Sequence, residues 1–86
     1  MRILEARFHP SSKSNGTSFV SVGRVLCTAA GVTIEPVEVP PLAVRPFDPR
    51  RLQDKLEFLV MSFARDACSS LLGLRSEFWS FVERAA

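Results

Sequence analysis

DPRRLQDKLEFLVMSFARDACSSLLG, residues 48–73, is the stretch on which the reading of the whole chain turns. Asp48 is a good N-cap residue, and Pro49 suits the first helical position, where its missing N–H is no loss and its fixed φ is already helical. Gly73 is the first glycine afterwards and a plausible stop, so the spacing predicts a long helix from Asp48 to about Leu72. The alternative, a helix running through Gly73 towards residue 85, carries a glycine penalty of about 1 kcal/mol.

At roughly 100° per residue, Leu52, Leu56, Leu59, Val60, Phe63 and Ala67 share one arc, with Leu71 at its rim. That arc is the face expected to lie on a sheet. Phe58, Met61 and Leu72 lie roughly 180 to 240° round from Leu52, beside Cys68 and interleaved with Asp54 and Arg65. This second, mixed stripe has two readings. Either the C-terminal segment folds back and covers it with Phe78, Trp79, Phe81 or Val82, or it is an interface with a second copy or another protein. A helix apolar on two sides is normally buried on two sides, and Met is common on adaptable contact surfaces. LRSEFWSFVERAA, residues 74–86, reads as a short aromatic helix, and the large side chains of its EFWSFVER cluster spread too widely for one core contact. Homodimerisation through the C-terminal helices would bury both surpluses.

Upstream of the helix the chain changes character. Residues 1–46 hold every glycine but one and five of the six prolines, with short runs of Val, Ile, Thr and Phe, the mark of strands and turns. RILEARFH predicts a half-buried strand with Leu4, Ala6 and Phe8 on one side and Glu5, Arg7 and His9 on the other. PSSKSNG, residues 10–16, reads as a turn. TSFVSVGRVLC reads as a second strand in which Val20, Val22 and Leu26 alternate against Phe19, Ser21 and Val25, with Gly23 suggesting a bulge. VTIEPVEV reads as a third strand, its Pro36 calling for an edge position or a bulge. From Pro40 a stiff polyproline-like strap leads to the helix. The fold expected is α+β: a single domain, residues 1–86, with a three-stranded, mainly antiparallel meander (2–9, 17–27, 32–39) in a β part of 1–46. Its strap of 40–49 and helical part of 48–86 supply a long C-terminal helix packed on the meander, followed by the short aromatic helix.

Composition narrows the chemistry. Eighty-six residues form one small domain that buries only about 60% of its unfolded surface, so any large exposed apolar face is notable. The net charge of +2 is far from the concentrated basic field of a dedicated nucleic-acid binder. Two cysteines, Cys27 and Cys68, are too few for a disulfide framework, and MRILEARFHP has no secretory pattern, so reduced thiols in a cytoplasmic protein are expected. No apolar run approaches the eighteen or so residues of a membrane-spanning helix. One histidine, His9, and the absence of CxxC or HxxxH spacing argue against a metal site or a Cys–His nucleophile. The glycines match no phosphate-binding loop. Neither a cofactor nor catalysis is expected.

What remains is binding. The candidate protein or self interface is Phe58, Met61, Arg65, Leu72, Phe78, Trp79 and Phe81, since Trp and Phe dominate binding centres. Arg50 and Arg51 oppose the helix dipole at the helix start, which suggests pairing with an acidic partner. The chain therefore reads as a small non-catalytic module, self-associating as a homodimer, that regulates or blocks a protein partner. In size and style only, this matches phage and bacterial inhibitors and adaptors, anti-CRISPR-like ones included. The alternative is nucleic-acid binding on the sheet, with Phe19 or Phe8 as a stacking platform among Arg7, Lys13 and Arg24.

Overall fold

The computed structural model describes residues 1–10, 19–39, 49–63 and 66–85. In chain order the elements are β1 (Arg2–Phe8), β2 (Val20–Thr28), β3 (Gly31–Pro36), α1 (Pro49–Phe63), α2 (Ala67–Leu72) and β4 (Trp79–Arg84). The α+β class is as expected, but the sheet has four antiparallel strands in the order β3-β2-β1-β4. Three hairpin-connected strands are followed by a fourth that returns through the helices to lie beside the first, a Greek-key order with a helical connection. The turn expected at 10–16, the strap and the Asp48 cap fall at least partly outside the described residues.

Three expectations are corrected. The segment expected as a short aromatic helix is strand β4, paired with β1 from Phe8↔Trp79 to Ile3↔Arg84. Its aromatic side chains look scattered at helical period because the operative period is two: Trp79 and Phe81 point to the core while Ser80 and Val82 point away. The helical layer is therefore central in the chain, not C-terminal. The single long helix is two helices, α1 ending at Phe63 and α2 opening at Ala67, and Cys68, expected beside Met61, is buried together with Ala67 and Leu71. Finally, the third strand stops at Pro36 rather than residue 39; its position on the sheet edge accommodates a residue with no N–H to donate.

The first strand carries its apolar side as read, with Leu4 and Ala6 fully buried. In β2 the register shifts opposite the Ala6/Arg7 step, leaving Val22 as an extra residue beside Gly23. This bulge reverses the alternation read from the sequence. Val22 and Val25 are both core residues, while Leu26 is only partly buried. Across the sheet, Leu52, Leu56 and Val60 of α1 and Leu71 of α2 close the core against Trp79 and Phe81. Leu56 of α1 packs directly over Gly23: a Cβ added there would stand 3.1 Å from Leu56 Cδ2 and 3.2 Å from the Glu35 carbonyl oxygen. The other face of the sheet is the wet one, and it carries the charged residues Glu5, Arg7, Arg24, Glu35 and Arg84.

Candidate functional site

Helix α1 places Leu52, Leu56 and Val60 inward, so the residues a half-turn away must face out. Arg51, Lys55, Phe58 and Met61 follow one another at three- or four-residue steps and form one stripe along the helix. Phe58 is 63% exposed and Met61 79%, the two largest exposures among apolar residues of the helices. Lys55 Nζ lies 5.6 Å from the centroid of the Phe58 ring, and Arg51, Asp54, Lys55 and Phe58 line a shallow hollow of about 350 Å³. The stripe is thus cationic at its N-terminal end and apolar at its C-terminal end. Arg50, also exposed, adjoins the cationic end.

The rest of the expected interface is dispersed. Leu72 is half-buried and packs against the core. Trp79 and Phe81 are 7% and 8% exposed, with rings stacked at 6.2 Å, so the apolar surface expected from them is spent inside the chain. Phe78 stays 41% exposed at the start of β4, stacked on Phe8 at 6.2 Å, while its carbonyl oxygen accepts from the His9 N–H at 2.7 Å. Arg65 lies outside the described residues, as does Lys13. Among the described residues of that set, the structure brings Phe58 and Met61 together on one open surface.

Of the residues considered for nucleic acid, Arg7 and Phe19 meet: the guanidinium carbon stands 4.1 Å from the ring centroid, and His9 adjoins the ring at 6.1 Å. His9 Nε2 and Ser80 Oγ are hydrogen-bonded at 2.8 Å. Arg24 stands apart on β2 and is paired with Glu35. Arg7 is paired with Glu5, and Arg84 reaches the same carboxylate at 3.2 Å. Burial pushes the Glu5 carboxyl up, but hydrogen bonds and charge from Arg7 and Arg84 outweigh it and hold that carboxyl below its usual value of 4.5. The face therefore presents neutralised pairs rather than a field of bare cations.

No protein-family model, curated protein or solved structure matches this chain. Among the described residues, no group of three or more His, Cys, Asp or Glu is placed to hold a metal ion, and no helix is long and apolar enough to cross a membrane.

The feature that sequence reasoning missed is covalent. Cys27 of β2 and Cys68 of α2 form a disulfide, with Cα atoms 6.6 Å apart, which corrects the expectation of two reduced thiols. Nothing in the spacing announced it, because the pairing exists only once α2 is laid across the end of β2. The bond sits on an open cleft of about 780 Å³ whose lining includes Arg2, Ala30, Met61, Asp66 and Ser69. Arg2 ties this corner together: it donates to Glu83 at 2.9 and 3.2 Å and to Ser69 Oγ at 3.3 Å. The hydrogen bond from Arg2 holds the Glu83 carboxyl below its usual value, and the same contact raises the Arg2 guanidinium further above its already high value.

Proposed function

We propose that this protein is a small non-catalytic binding module that self-associates through the outward stripe of α1 and acts on a partner macromolecule by surface contact. The observation that carries the reading is the exposure of Phe58 and Met61 together, 63% and 79%, on a helix whose other side already fills the core. Two large apolar side chains held in place by a helix keep water ordered around them at no benefit to the fold, and burying each against a partner is worth about 1.5–3 kcal/mol. A two-fold pairing of antiparallel α1 helices supports this economically: it sets the Lys55 ammonium of one copy near the Phe58 ring of the other and returns the apolar end of each stripe to cover. Phe58 and Met61 are the contact residues in this reading, with Arg51 and Lys55 at its rim.

Self-association is tested by sedimentation velocity at micromolar concentration on the full chain and on the double variant Phe58→Ser with Met61→Ser. A dimer that the double variant abolishes while the variant still unfolds cooperatively as a folded monomer supports the reading; a monomeric parent protein overturns it.

A second reading, nucleic-acid contact on the open face of the sheet, has one observation in its favour, the exposed Phe19 ring under Arg7. The carboxylates of Glu5 and Glu35, paired with Arg7 and Arg24, count against it, because counterion release needs cations free to meet phosphates. Setting is a further part of the reading. The Cys27–Cys68 bond supports an oxidising environment rather than the cytoplasm expected from the sequence.

A further inference from the structure

We propose that the Cys27–Cys68 disulfide is a thiol–disulfide exchange site, entered from the cleft beside Met61, that accepts two electrons from a dithiol reductant. Three observations carry this, the second of them a cleft that shares Met61 with the outward stripe of α1. First, the bond is the covalent join between the sheet and the helical layer, since Cys27 is the next-to-last residue of β2 and Cys68 the second of α2. Second, it lines an open cleft of about 780 Å³ rather than sitting in the centre of the core. Third, its two halves differ in access: Cys27 is only partly buried, whereas Cys68 is 6% exposed. Exchange requires an incoming thiolate to reach one sulfur along the S–S axis, so accessibility selects which sulfur is attacked. Here it selects Cys27.

The steps balance without further reagents. The thiolate of the dithiol attacks Cys27 Sγ; the S–S bond breaks and its electron pair leaves on Cys68 Sγ, which takes a proton. The second thiol of the reductant then attacks its own sulfur in the mixed disulfide and releases Cys27, which takes the other proton. The reductant ends as a disulfide and the protein as a pair of thiols. What then still holds α2 to this corner of the sheet is the Leu71 and Ala67 packing and the Arg2–Ser69 hydrogen bond, both noncovalent.

The probe is reduced glutathione, a monothiol that stalls at the mixed disulfide. The oxidised full chain is exposed to it under native conditions, alkylated and mapped by peptide mass spectrometry. The expected result is glutathione on Cys27 and the alkyl group on Cys68. Glutathione on Cys68, or exchange no faster than global unfolding as judged by its urea dependence, overturns the proposal. Ala30 is exposed in the β2–β3 turn and lines the cleft, so Ala30→Trp narrows the entrance without touching the core. That variant should exchange at least about five-fold more slowly at an unchanged melting temperature, because rate follows access. An unchanged rate overturns entry through the cleft.

Discussion

The described glycines separate cleanly by the backbone each one holds. Gly31, in the turn between β2 and β3, has φ 142°, a conformation that side chains with a Cβ rarely adopt. Gly31→Ala should therefore destabilise the protein by about 1 kcal/mol despite open space around it, as read by urea unfolding. Gly73 stops α2 but keeps an ordinary helical φ of −85°, and a Cβ there would meet only carbonyl oxygens at 3.6 and 3.7 Å. Gly73→Ala should be neutral or stabilising by up to about 1 kcal/mol, because it narrows the unfolded ensemble without strain. At Leu56, fully buried and resting over Gly23, truncation to Ala should cost about 2–5 kcal/mol, a loss measurable by the same unfolding curves. Acid behaviour is also a matter of single residues. Glu5 and Glu83 have carboxyls held below 4.5 in the folded chain, so the folded state binds fewer protons than the unfolded one. Their contribution is complete above about pH 4.5 and disappears as pH falls through the lowered folded values. Thermal melts of Glu5→Gln should show a lower midpoint at neutral pH and a shallower decline below pH 4.5 than the parent chain.

Elements were legible in the sequence wherever local chemistry and periodicity agreed. Helix α1 begins at Pro49, and β1 shows its Leu4–Ala6–Phe8 side as the alternation requires. Legibility failed where partners distant in sequence decide. EFWSFVER has no turn chemistry to mark it as a strand, and only the vacant edge of β1 makes its two-residue period operative. The bulge at Val22 is similarly set by pairing: it exchanges the roles of Val25 and Leu26, which no reading of β2 in isolation reveals. The break before Ala67 accompanies the Cys27–Cys68 bond, a contact across a separation of 41 residues. Closing a span of that length removes unfolded-state entropy worth about 4 kcal/mol in the chain-entropy account, comparable to a large share of a small domain's stability. Calorimetry in the presence and absence of a strong reductant should accordingly show a midpoint lower by about 10 °C or more after reduction. Of the candidate site, Phe58 and Met61 were legible because a helix fixes which residues share a side; Trp79 and Phe81 were not, because their element was misread.

At the scale of the whole molecule, the one-sided sheet sets the apolar accounts. One face is sealed by α1 and α2, the other is dressed in Arg–Glu pairs, and the aromatic surplus of the C-terminal segment is absorbed by β4. Exposed surface pairs of this sort contribute about 0–1 kcal/mol each, so they serve solubility and register more than stability. The outward stripe of α1 is then the place where apolar surface and regular structure remain in excess together. In the paired form its apolar end supplies the contact that excludes water, and Arg51 and Lys55 stand at the rim of that contact. The most direct test of that account is the solution mass of the full oxidised chain, measured by light scattering across micromolar concentrations. The expected result is a mass that rises to twice that of one chain and falls back when Phe58 and Met61 are both changed to Ser. A mass of one chain throughout that range would contradict it.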